Sequence, residues 1–408
     1  MSHPSSHARQ RIIFLIASGL STAGSFAGLT AKGWILMDET KAPMVLALNF
    51  AALSLPTILV SGPAGVRTDR VGCERVLIQA QWALLCASLL GALSIPIFDG
   101  QAQVLMLLAS TLLVGIAGAY ELTARNKYCA LLVDDNSELA PFLTSFSVVF
   151  NVGKLVGPLL GGLLITLAGP ATALTLDAAT YLFPIASVIW LLNPKTELEE
   201  RSAPGKKASL RVAWRECGST LRHVLMFTGL MCVVGFFHPG LGPLIAAREL
   251  GNAPMDLAVF TSVLALGSIA GGLLLQRNSH RFCQRPSLTL AGFALVTAVA
   301  QLGMAVGGDV PFLLAMTLLI GAGTAGLLSS SNLMTQVGST QILRGRMAGL
   351  GQIAFLGGGG LSGLIAAQLT VSFGLQATFA ISGTLGIVLA LLEIWRRGGS
   401  VLTEVRSV

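Results

Sequence analysis

The chain has 408 residues, of which 53% are hydrophobic and 11% charged, and it carries a formal net charge of +7. A soluble protein of this length could not bury that much apolar surface, so the composition points to lipid as the solvent. The positive charge is gathered in particular gaps between apolar stretches, which removes any need for a nucleic-acid partner to explain it.

A spanning helix needs about 20 mostly apolar residues rising 1.5 Å each. Such runs are predicted at 12–36, 44–64, 76–97, 103–124, 141–168 and 171–192, and then at 223–246, 255–275, 287–306, 311–333, 347–372 and 375–395. The first run is too long for a cleavable signal and shows no small-residue cleavage site before Lys32, so it is expected to stay as the first span. Basic gaps hold Arg9 and Arg11, then Arg67, Arg70 and Arg75, then Arg125 and Lys127, then the stretch from Lys195 to Arg222. Further basic gaps hold Arg277, Arg281 and Arg285, then Arg344 and Arg346, then Arg396, Arg397 and Arg406. The alternate gaps are short and hold little beyond Asp38, Glu39 and Lys41, Asp99, Arg248 with Glu249, and Asp309. Loops rich in Lys and Arg stay in the cytoplasm, so both termini are expected there. The expectation is an all-α, multi-pass protein of a bacterial cytoplasmic (inner) membrane with twelve transmembrane helices.

A polar stretch at 193–221 separates an N-terminal six-helix bundle, 1–192, from a C-terminal one, 222–408. It reads as a cytoplasmic linker with a surface helix around Leu210–Cys217. The halves echo one another. Gly65 precedes Asp69 and Arg70 after the second span, as Gly272 precedes Gln276 and Arg277 after the eighth, and the glycines of the fifth span have counterparts at Gly351, Gly357 to Gly360 and Gly363 in the eleventh. Parallel repeats of this kind place a cavity between two pseudo-symmetric halves.

Six cysteines show no paired spacing and are expected to be small, buried, reduced residues with no metal. There is no nucleotide-binding Gly-x-x-x-x-Gly-Lys-Ser/Thr sequence, no catalytic carboxylate pair and no nucleophile elbow, so neither ATP drive, a cofactor nor an enzyme is expected. After the second span the chain reads Gly65-Val66-Arg67-Thr68-Asp69-Arg70-Val71-Gly72-Cys73-Glu74-Arg75. Gly65 and Gly72 would permit a tight turn and a close helix approach, while Asp69 could accept from a helix N-terminus and pair with an Arg. The fifth span reads Gly153-Lys154-Leu155-Val156-Gly157-Pro158-Leu159-Leu160-Gly161-Gly162. Glycines four apart give a face that another helix can approach, and Pro158 removes a helical hydrogen bond and should bend the span.

These two segments resemble the loop signature and the antiporter motif of the major facilitator superfamily, and the resemblance covers nearly the whole chain. Arg125 to Pro141, Asp177-Ala178 before Tyr181-Leu182-Phe183, and Leu343-Arg344-Gly345-Arg346-Met347 look like the branch of enterobactin exporters and macrolide-efflux proteins. The resemblance implies alternating access, export rather than uptake, a gating loop at Gly65, Asp69, Arg70, Gly72, Arg75, Arg344 and Arg346, and a monomer. Cys73 and Glu74 stand where the family has basic residues.

Ionisable groups in lipid cost several kcal/mol unless they have a partner or a cavity, so each is a functional suspect. Lys32, Lys154, Glu121, Asp177 and His238 are the candidates. Lys154 in the fifth span, with Lys32, Asn151, Ser25 and His238, is expected to bind cargo. Asp177, the i,i+4 pair of Glu121 and Arg125, and His238 are expected to couple protons or form ion pairs. His238, followed by Pro239 and Gly240, also marks an expected break in the seventh span. The function expected is proton-coupled export of a small anionic metabolite such as a siderophore. The alternative is broad drug efflux, and after that uptake by symport.

Overall fold

The structure is a computed structural model that describes residues 4–133, 136–191, 214–278, 285–339 and 344–397. Among the described residues every regular element is a helix, and twelve segments are long and apolar enough to cross a membrane. The first unit of chain contributes α1 (Pro4–Thr40), α2 (Pro43–Ser54), α3 (Pro56–Val71), α4 (Cys73–Ile97), α5 (Gly100–Leu131), α6 (Asn136–Ala168), α7 (Pro170–Thr180) and α8 (Leu182–Leu191). The chain continues as α9 (Ser219–Gly235), α10 (His238–Glu249), α11 (Pro254–Arg277), α12 (Pro286–Val306), α13 (Val310–Val337) and α14 (Arg344–Gln352). A π-helical turn, Ile353–Gly357, leads into α15 (Gly358–Phe373), and α16 (Leu375–Arg397) ends the fold. The second span is α2 with α3, the sixth α7 with α8, and the seventh α9 with α10.

Local chemistry sets these boundaries. Proline opens α2, α3, α7, α11 and α12, where the missing N–H is one the helix start leaves unbonded anyway. Gly72, Gly169, Gly307 and Gly374 end helices with φ of 99°, 83°, 74° and 89°, a region closed to most side chains. The second span, expected to stop at 64, runs on as helix to Val71, so Asp69 and Arg70 lie on a helical extension and the turn waits for Gly72. Gly65 therefore does not make the turn, and a Cβ built there meets nothing within 4 Å, so the close helix approach expected at Gly65 is absent.

The described chain falls into two compact units: Met1–Lys207 with Gly242–Ser262, and Ala208–Leu241 with Val263–Val408. A single cut in 193–221 would have left Gly242–Ser262 with the second. The linker core, 192–213, lies outside the described residues; Cys217 beyond it is buried against Leu225 and Met347. In the first unit α1 lies along α6 and α7, while α4 packs on α5 and α7. In the second, α12 lies between α13 and α16, and α9 packs on α15 and α13. Aromatic and small side chains fill one end of the first unit, where Phe14 meets Tyr128 edge to face at 5.0 Å, and Cys73, Leu77, Ala124 and Cys129 close round them.

The glycine motif explains the close approach of α6 to α1. A Cβ on Gly157 would lie 2.5 Å from Ala23 O, and one on Gly161 would lie 2.8 Å from Ala27 O, so the two glycines bring α6 onto the backbone of α1. Gly162 sits against Ala258 of α11 within the same unit, where a Cβ would be 2.6 Å away, and Ser262 Oγ donates to Leu155 O at 2.8 Å. Helix α6 runs unbroken through Pro158. Not every described cysteine is buried as expected: Cys86 is exposed, while Cys73, Cys129, Cys217 and Cys232 are buried.

Replacing Gly161 by Leu should therefore force α1 and α6 apart and cost about 1–3 kcal/mol. Gly65→Ala, with open space above it, should be neutral or stabilise by about 0.5–1 kcal/mol. Thermal unfolding of the purified variants checks both directions.

Candidate functional site

Four helices of the first unit converge on a buried pair of opposite charges. Lys32 on α1 is 2% exposed and Asp177 on α7 is 4% exposed, and each lies within electrostatic reach of the other. Lys32 Nζ donates to Ser110 Oγ of α5 at 2.7 Å, and the Ser110 hydroxyl in turn donates a hydrogen bond to Ala87 O of α4 at 2.7 Å. Ser88 of α4 donates to Asp177 Oδ2 at 2.5 Å. The hydroxyls of Ser25 and Tyr181 meet at 2.9 Å beside the same carboxylate. Both hydroxyls act on the carboxylate, but neither meets Asp177 Oδ1 with full hydrogen-bond geometry.

Small residues make this enclosure possible. A Cβ on Gly28 would stand 2.6 Å from Asp177 Oδ2, and the lysine stem runs past Gly91, where a Cβ would be 3.3 Å from its Cε. The arrangement holds one cation whose proton donation is answered by a serine, and one carboxylate with an acceptor oxygen incompletely satisfied. A carboxylate in that condition can take a proton without first breaking a well-formed hydrogen bond at that oxygen.

A second charged group stands apart on α5. Arg125 Nη1 reaches Glu121 Oε1 and Oε2 at 2.8 and 3.0 Å, Gln81 Nε2 approaches Oε1 at 3.5 Å, and the guanidinium lies 5.0 Å from the Phe146 ring centroid. The pair is thus closed on itself and tied to α6 through an aromatic face. At the turn, Lys127 donates to Asp69 at 3.1 Å, so the partner of Asp69 there is a lysine, where an arginine was expected. Asp69 is largely exposed, which leaves such a bond worth only ~0–1 kcal/mol. Arg70 and Arg75 are exposed as well. Arg344 and Arg346 occupy the first turn of α14, and only their backbone is described.

Of the remaining expected cargo residues, Asn151 and Lys154 lie on α6 and His238 lies at the start of α10. Asn151 turns back on its own helix and donates to Ser147 O at 2.8 Å, and Lys154 is half-buried next to the glycine face of α6. His238 belongs to the second unit, 2% exposed, edge-on to Phe236 with ring centroids 4.9 Å apart, just after the gap between α9 and α10. That gap is the break expected in the seventh span.

Several polar residues went unnoticed in the sequence. Ser88 and Ser110 are hydroxyls in apolar runs, and nothing in their spacing marks them. Glu393 was overlooked although a carboxylate in the last span is itself a signal; it is 3% exposed and lies 2.7 Å from His223 Nε2. Glu74, a departure in the loop signature, is buried at the start of α4.

A family model described as transmembrane secretion effector matches residues 3–397. The chain is 25% identical over 388 residues to the multidrug efflux pump Tap of Mycolicibacterium fortuitum, covering 90% of this chain and 91% of that protein. It is 24% identical over 385 residues to the pump of the same name from Mycobacterium tuberculosis, covering 90% and 88%. Among solved structures, the crystal structure of nucleoside transporter NupG matches with a TM-score of 0.71 at 13% identity, covering 95% of this chain and 98% of that one.

Removing one member of a buried pair strands the other, whereas removing both often costs little. Lys32→Met should accordingly lower stability by about 3–5 kcal/mol, and Lys32→Met with Asp177→Leu should recover most of the loss. A denaturation series on the three proteins decides it.

Proposed function

Because the chain belongs to the transmembrane secretion effector family of the major facilitator superfamily, membrane transporters of small molecules rather than enzymes, we propose that it is a proton-coupled multidrug exporter of the bacterial inner membrane. The drug class comes from the Tap pumps, which align with it nearly end to end. The coupling comes from Asp177. Its enclosed carboxylate has an oxygen that no donor meets with full hydrogen-bond geometry and a lysine beside it, the local chemistry a carried proton needs.

In this reading a proton and a cationic or dipolar cargo compete for the negative charge of Asp177. Cargo taken from the cytoplasm releases the proton inward, and a proton arriving from outside resets the carboxylate after the cargo leaves. Lys32 keeps that charge from being stranded when both are absent. Lys154, Asn151 and Ser25 are assigned to cargo contact in the first unit, and Glu121 with Arg125 to holding α5 on α6. Gly65, Asp69, Arg70, Gly72, Arg75, Arg344 and Arg346 are assigned to gating between inward and outward states, with both termini cytoplasmic, two six-helix domains and one chain sufficing.

Export of an anionic siderophore draws no support from the relatives. Of the two lysines that reading asked to hold an anion, Lys154 and Lys32, the second already faces Ser110 and Asp177. The macrolide-efflux side of the branch resemblance agrees with drug cargo.

Everted vesicles bearing the protein should accumulate ethidium when their interior is acidified and release it when nigericin collapses the gradient. Asp177→Asn, fixed in the neutral form that a proton gives, should bind ethidium weakly and lose the response to the gradient. Movement that ignores the gradient, or that runs only with ATP, would rule the reading out; movement in the opposite sense would make the protein an uptake symporter.

A further inference from the structure

In an unbroken α-helix the carbonyl of residue 235 accepts from the N–H of residue 239. Here that residue is Pro239, which has no N–H. The chain instead stops being helical after Gly235, with Phe236 at φ −98° and ψ 38°, and resumes at His238. A carbonyl so exposed inside lipid costs several kcal/mol if nothing answers it. Gln301 of α12 answers it: its Nε2 donates to Gly235 O at 2.7 Å, and the side chain is 1% exposed.

The break forms one wall of an internal pocket of the second unit. Phe236, Cys232, Gln301, Thr324 and Ser382 are among its lining residues, and its enclosed part measures about 10 Å³, room for one water-sized group. Thr324 Oγ1, 7% exposed, makes no hydrogen bond among the described residues, although most membrane threonines return theirs to their own helix. Phe236 is held on its other side by Phe355 of the π-helical turn, ring centroids 4.7 Å apart. The amide of Gln301 thus sits where the direction of the seventh span and the shape of the pocket are decided together.

We propose that Gln301 is a positioning residue that replaces the missing N–H of Pro239, fixes the break in the seventh span, and so fixes the ring of Phe236, through which it acts on cargo binding. The cargo part rests on the transport reading above; the hydrogen-bond part stands without it. If Gln301 acts by replacing that donor, restoring the donor at 239 must make Gln301 dispensable.

The test is a cycle of four purified proteins: wild type, Gln301→Met, Pro239→Ala and the double variant. Gln301→Met should lower the melting temperature by about 2–4 °C, and adding Pro239→Ala should return most of it. In vesicles Gln301→Met should raise the KM for ethidium roughly five-fold with little change in maximal rate, and the double variant should revert. If Gln301→Met fails to accumulate, the double variant should accumulate. A double variant as impaired as the sum of the singles overturns the proposal, because a merely packed glutamine gains nothing from an N–H at 239. If wild type moves no ethidium, the efflux reading fails while the melting cycle still decides this one.

Discussion

Opposite charges enclosed in an apolar bundle constrain everything around them. A lone ammonium or carboxylate at this depth is expensive, and a pair is tolerated only when geometry and hydrogen bonds compensate. Lys32 and Asp177 meet that condition through three serines and a tyrosine drawn from α1, α4, α5 and α8's approach at Tyr181. Because α1, α4, α5 and α7 each supply at least one of these groups, their mutual positions are tied to a single electrostatic centre. Changing the charge of that centre, by a proton or by cargo, changes the forces on four helices together, which is what a carrier needs to convert chemistry into movement.

Close backbone approach is the second condition, and small residues supply it. Gly28 lets α1 touch the carboxylate, and Gly157 and Gly161 let α6 lie on α1. The hydrophobic effect gives little preference for helix over lipid, so packing of this kind supplies association that a soluble core would obtain from burial. Breaks in the spans follow the same logic in reverse. Where Pro239 withdraws a donor, the structure spends a buried amide, Gln301, on the stranded carbonyl.

Twelve spans, their approximate limits and the glycine face of the fifth were legible because lipid demands long apolar runs and glycine spacing survives as a pattern. The second span was cut short at 64 because charged side chains ended the apolar run, whereas the helix itself persists to Val71. The suspects Lys32 and Asp177 were visible as charges out of place, but their partners were not: Ser88 and Ser110 are distant in sequence and ordinary in type. Gln301 was missed for a different reason. Its meaning depends on Pro239, and the two are joined only by the packing of α12 beside the break.

The account stands or falls on whether drug and proton compete at Asp177. Purified protein in weakly buffered detergent, mixed with ethidium while the pH is followed, reads this directly. Wild type should release close to one proton per ethidium bound, and Asp177→Asn, fixed in the neutral form, should bind the dye only weakly and release none. Binding without proton release by wild type, or equal release by the variant, would contradict it.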